Sequence, residues 1–173
     1  MLRMKKLLVV FSMLILSACQ ENEDVKFTVN IDKFTDKVKS ATLSFTSKSS
    51  DYSQFIIIKC FNDGGILLQN GIGQYGVVEH NNTASQLKFR VDKMDYITLE
   101  GNFRLINNSV ISLDFWLSEK SLNALLSDLT SGKSLKTSAS FYSLGSNISY
   151  DANYKVQNSS SKIIDFKKHC GIQ

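Results

Sequence analysis

The chain has 173 residues, 20 Lys and Arg, 16 Asp and Glu, and no proline, with a formal net charge of +4. Three of the basic residues (Arg3, Lys5 and Lys6) lie in the first six positions. If that segment is removed, 17 basic residues remain against 16 acidic ones, and the net charge falls to about +1. No run of Lys or Arg is dense enough to suggest a nucleic-acid partner, and the length suits one domain rather than two.

Residues Leu7–Ala18 form a twelve-residue apolar run with only two hydroxyls. A bilayer-spanning helix needs roughly 20 such residues. A basic start, a short apolar core and small residues before a cut describe a secretory signal instead. The run ends in Leu16-Ser17-Ala18-Cys19, which resembles the bacterial lipobox. That resemblance implies a diacylglyceryl group on the Cys19 thiol, cleavage between Ala18 and Cys19, and acylation of the new amino group. Each buried methylene contributes about 0.8 kcal/mol and one chain binds only marginally, so several chains are needed for a durable anchor. The expected organisation is a signal peptide at 1–18, a lipidated tether at 19–24 and one β-rich domain at 25–173. Met1 and Met4 both precede a complete signal, so either start yields the same mature chain. The expected place is the cell envelope. Gln20 is not the aspartate associated with inner-membrane retention, so the periplasmic leaflet of the outer membrane is favoured, with the inner membrane as the alternative.

Beyond the tether, Val25, Phe27, Val29 and Ile31 alternate with Lys26, Thr28 and Asn30, the period of a half-buried strand. Further strands are expected at 41–46, 54–60, 65–69, 74–79, 86–92, 95–105, 110–116, 135–142 and 148–156. Turn signals separate them: Asn62-Asp63-Gly64-Gly65, Asn70-Gly71, Asn81-Asn82, Asn107-Asn108 and Gly145-Ser146-Asn147. This spacing predicts an antiparallel sandwich or barrel. One segment has another period. Leu122, Leu125, Leu126 and Leu129 make a helical stripe, with Ser118 as N-cap and Gly132 near the C-cap, predicting a packed helix at about 118–130. A short C-terminal helix is expected at 161–170, with Ile163, Ile164 and Phe166 supplying apolar contacts.

Two cysteines remain beside the anchor, Cys60 and Cys170. In an exported chain an even pair reads as a disulfide, with two buried thiols as the plainer alternative. His169 beside Cys170 suggests half a metal site, but no further ligand falls at useful spacing, so no metal is expected. His80 stands alone in a turn region. There is no Gly-x-Ser-x-Gly elbow, His-Glu-x-x-His pair or phosphate loop. Gly71-Ile72-Gly73 with Gly76 makes half a nucleotide fingerprint between strands, where a hairpin is the better reading. Asp92 and Asp95 flank a turn, where aspartates usually accept from backbone N–H groups. No catalytic residue, no cofactor and no enzymatic activity are expected. The aromatics Phe103, Phe115, Trp116, Phe141, Tyr142, Tyr150 and Tyr154 fall in strands and are assigned mostly to the core.

Two resemblances bear on function. From Cys60 to Cys170 the order of features resembles exported β-domain proteins, among them the invasion-associated locus B proteins and an accessory protein of type VI secretion. It rests on a strand ending in cysteine, then Leu87-Lys88-Phe89-Arg90-Val91-Asp92 with its arginine–aspartate pair. A tryptophan strand and helix follow, then Gly132-Lys133-Ser134-Leu135 and a final helix with cysteine. The resemblance implies a disulfide-stapled β-sandwich without catalysis. The segment 25–50 and the lipobox depart from that pattern. The second resemblance is to the entry-exclusion proteins of small mobilisable enterobacterial plasmids. It is carried by the small lipoprotein form, the Asn- and Lys-rich composition and the paired starts. It implies an envelope protein that blocks redundant plasmid transfer by contact with a partner, an envelope or transfer-apparatus protein.

Overall fold

The computed structural model describes residues 24–48, 53–73, 83–107, 110–143 and 145–172. The signal segment with Ala18 and Cys19, the expected strand at 74–79, Gly76 and His80 lie outside the described residues.

Nine strands form one antiparallel sheet in two blocks. The first block is β1 (Val25–Ile31), β2 (Val38–Lys48), β3 (Ser53–Phe61) and β4 (Ile66–Gly73). The second comprises β5 (Thr83–Val91), β6 (Ile97–Asn107) and β7 (Val110–Trp116), then β8 (Ser134–Ser143) and β9 (Ser146–Lys155). The order across the sheet is β1-β2-β3-β4-β7-β6-β5-β8-β9. The chain therefore crosses from β4 past β7 and β6 before it lays down β5. The sheet curls until β9 reaches β2 and β3, where the Ser47 hydroxyl donates to the Asn153 carbonyl at 2.8 Å and the Gln54 amide to the Asp151 carbonyl at 2.9 Å. The expected antiparallel barrel is thus realised as a single half-closed sheet.

Alternation decides which side chains fill it. Leu43 and Phe45, Ile56 and Ile58, Leu87 and Phe89, Leu113 and Phe115 all turn inward. A ring series links the far strands: Phe103 and Phe141 are 4.7 Å apart, and Phe141 stacks on Tyr150 at 6.1 Å. The helix α1 (Glu119–Ser131) closes one side with Leu122, Leu125, Leu126 and Leu129, all buried as the leucine spacing predicts. Ser118 caps it by accepting from the Ser121 N–H at 3.2 Å. The helix α2 (Ser160–His169) packs on β1, β2 and α1. No helix among the described residues is long and apolar enough to cross a membrane.

Two expectations need correction. Asn70-Gly71 and Gly71-Ile72-Gly73 are not a hairpin but the second half of β4. Asn70 is buried and its amide reaches the Tyr154 hydroxyl at 3.4 Å, while a Cβ on Gly71 would lie 1.8 Å from the Phe55 ring. Glycine is there so that a ring can lie across the strand, not so that the chain can turn. Gly132 ends α1 at the C-cap as expected, with φ −78°. Its need is close approach, because a Cβ there would stand 2.3 Å from a Val91 methyl. Finally, Ile164 is 57% exposed while Ile163 and Phe166 are buried. One helical residue rotates the side chain by about 100°, which carries Ile164 off the apolar face.

Candidate functional site

The expected cysteine pair is joined. Cys60 and Cys170 form a disulfide with Cα atoms 5.9 Å apart, across 110 positions of sequence. Cys60 is the last inward residue of β3 and Cys170 follows α2 directly, so the bridge fastens the C-terminal helix to the end of β3. Phe166 on that helix meets Phe27 of β1 edge to face, with centroids 6.4 Å apart. His169 lies against the same ring at 5.3 Å, and its Nδ1 is 2.8 Å from the Asp165 carbonyl. Both contacts give His169 a packing role at the end of α2. Among the described residues no cluster of three His, Cys, Asp or Glu side chains converges.

The two short motifs that carried the family likeness meet in space. Asp92 closes β5 with φ 49°, and its carboxylate turns away from its own turn towards the start of β8. It accepts from the Lys133 N–H at 3.1 Å, from the Ser134 N–H at 2.9 Å and from the Ser134 hydroxyl at 3.0 Å. Beside it, Gly132 lets the chain pass against Val91. The aspartate does satisfy backbone donors as expected, though they lie 41 and 42 positions away. Arg90 takes no part in this knot.

The N–H groups of Lys133 and Ser134 hold the Asp92 carboxyl below its ordinary value of 3.8. A carboxyl depressed by folding contributes stability that is present above its unfolded value and is lost as pH falls through the lower folded value. Asp92→Ala is therefore expected to lower the urea midpoint at pH 7. The gap from the parent should narrow on acidification below about pH 4, with urea titrations at pH 7 and pH 3 as the check.

The outer face of β3, β4 and β7 carries an exposed aromatic with apolar neighbours. Inward-pointing Ile56, Ile58, Leu68, Leu113 and Phe115 leave their neighbours facing out. Thr42, Lys59, Leu67 and Trp116 stand in one cross-strand row. Trp116 is 71% exposed, with the half-buried Phe61 ring 6.4 Å away. The Lys59 ammonium sits 4.7 Å from the Phe61 centroid. Below this row Asp114 organises a polar group. It accepts from the Gln69 amide at 2.9 Å and from the Ser112 hydroxyl at 2.6 Å, and pairs with Arg104 at 2.6 Å. A rigid, mostly exposed indole with apolar neighbours and a fixed polar margin is the form that protein contact sites take.

The strand aromatics are mostly core, as expected, and Trp116 and Tyr142 are the exceptions that face outward. The missed signal was parity. Phe115 and Trp116 are adjacent in one strand, so they face opposite sides, and Trp116 shares its side with Ser112 and Asp114. Phe103, Phe115, Phe141 and Tyr154 are inward as expected.

No protein-family description matches the sequence, and no curated protein matches it. Among solved structures, the chain is similar to invasion associated protein B from Bartonella henselae. The TM-score is 0.47 at 12% identity, over 84% of this chain and 94% of that one.

Proposed function

We propose that the protein is lipidated at Cys19 and held in the cell envelope, where it acts by protein contact and blocks acquisition of related plasmids. The observation that carries the anchoring is the basic start, apolar core and Leu16–Cys19 box in register. The Cys60–Cys170 bridge suits an exported domain. Resemblance to the exclusion proteins supplies the biological role, and the exposed face around Trp116 supplies a surface on which a transfer-apparatus protein could be held. A periplasmic accessory role in secretion or invasion is the second reading, favoured by the outline running from Cys60 through Arg90 and Asp92 to Cys170.

Mating recipients that carry the protein, its Trp116→Ala variant or neither separates these readings. Expression of the parent is expected to lower acquisition of a related plasmid. Truncation of a central aromatic anchor typically costs about 2–4 kcal/mol of binding, so Trp116→Ala should return acquisition towards that of empty recipients. An indole that is 71% exposed contributes little to the core, so the thermal midpoint should hardly move. Equal transfer frequencies with and without the protein would refute exclusion and favour the accessory role.

A further inference from the structure

A second surface, on the opposite half of the sheet, has different chemistry. In β5 and β8 the residues Leu87, Phe89, Leu135 and Thr137 are buried. Their neighbours Lys88, Arg90 and Lys136 are therefore turned outward, and all three are exposed. Pairing sets them in two rows, Lys88–Ser138–Asp151 and Arg90–Lys136–Asn153. Tyr96, from the β5–β6 turn and 66% exposed, stands over one end with its ring centroid 5.7 Å from the Lys88 ammonium. Together these residues line a cavity of about 570 Å³. That is within the roughly 300–1,000 Å³ of small-molecule sites.

Two features make this groove more than a solvated face. Arg90 and Lys136 are direct cross-strand partners, and among the described residues neither has an ion-pair partner. Like charges placed opposite each other on one face cost stability, and an anion between them removes that cost. The arrangement also restricts the mode of recognition. β5 and β8 are each paired on both sides, so their backbone is committed to the ladder. A ligand over β5 and β8 therefore meets side chains rather than free backbone groups.

We propose that the groove binds a phosphorylated sugar. The three cations less Asp151 leave two positive charges, which match the roughly −1.5 to −2 of a phosphomonoester better than the single charge of a carboxylate. Arg90 offers the fork that grips phosphate oxygens by two N–H groups, with Lys136 across from it as a point charge. Ser138 and Asn153 supply groups for sugar hydroxyls, and Tyr96 supplies a flat apolar wall for the ring. The site lies on the outer face of the other half of the sheet from Trp116 and does not depend on how the chain is anchored.

Titration of the full chain, solubilised in neutral detergent and free of phosphate buffer, tests this with glucose 6-phosphate as the probe. Saturable binding is expected that weakens with added salt. Lys136→Ala should weaken it roughly tenfold, the loss of one charge-assisted hydrogen bond, and Arg90→Ala, which removes a two-pronged contact, should weaken it further. Both residues are exposed, so their variants should keep the parent's thermal midpoint or exceed it slightly. Glucose and inorganic phosphate, offered separately, should bind far more weakly than the combined molecule. Equal binding by the Arg90→Ala/Lys136→Ala double variant would overturn the site, and equal binding of glucose would overturn the anion. Binding of hexaglutamate in preference to glucose 6-phosphate would replace the sugar with an acidic peptide. Binding of neither would also overturn the proposal.

Discussion

Removing the Cys60–Cys170 bridge is expected to lower the free energy of unfolding by about 2–5 kcal/mol, the range for native disulfides in small exported domains. The bridge spans 110 positions, about three-quarters of the stretch from 24 to 172. In the chain-entropy view, releasing a loop of that length returns roughly 4–5 kcal/mol to the unfolded state. The native state keeps partial compensation, because Ile163, Phe166 and Ile172 remain buried and Lys162 still donates to the Val25 carbonyl at 2.8 Å. The loss should accordingly fall inside that range rather than abolish folding. The Cys60→Ala/Cys170→Ala double variant leaves no unpaired thiol to confuse the comparison. Its urea midpoint should lie well below the parent's, and the parent in dithiothreitol should move the same way. Coincident midpoints would show that the bridge contributes nothing.

Changing Cys19 should have the largest effect in the cell. Without the thiol there is no diacylglyceryl transfer, and without that transfer the resembled pathway makes no cut between Ala18 and Cys19. Cys19→Ala is thus expected to accumulate as the longer precursor, to take up no radiolabelled palmitate, and to lack the proposed exclusion effect in recipients. The physical reason is the strength of the anchor. At about 0.8 kcal/mol per methylene, several acyl chains hold a protein durably where one chain holds it only marginally. The precursor's twelve-residue apolar run is shorter than the roughly 20 residues needed to span a bilayer. Cleaved, labelled Cys19→Ala protein would refute the assignment.

Local pattern carried most of the fold. The alternation from Val25 to Ile31 and the leucines of α1 each name both an element and its buried face, because strand and helix periods differ. The order of strands was not legible. Pairing β4 with β7 rather than with β5 is a long-range choice, made where β7 buries Ile111, Leu113 and Phe115. Short motifs misled where one residue type serves two ends. Asn70-Gly71 has the composition of a turn, yet the asparagine reaches Tyr154 across the core and the glycine makes room for Phe55. Asp92 reads locally as a turn residue, while its partners Lys133 and Ser134 lie at the start of another strand. The surface sites suffered most. Trp116 was hidden by the company of Phe115, and Lys88, Arg90 and Lys136 form one groove only after β5 and β8 pair.

The central claim is an exported, lipid-anchored, disulfide-closed domain, and intact mass spectrometry of the membrane-extracted protein, without reductant, tests it most directly. The account predicts a chain beginning at Cys19, heavier than its sequence by a diacylglyceryl group and an amide-linked acyl chain. It should also be lighter by two hydrogens for the Cys60–Cys170 bond, and untouched by alkylating reagent until reduced. A chain that retains residues 1–18, or one with an unmodified Cys19 thiol, would contradict it.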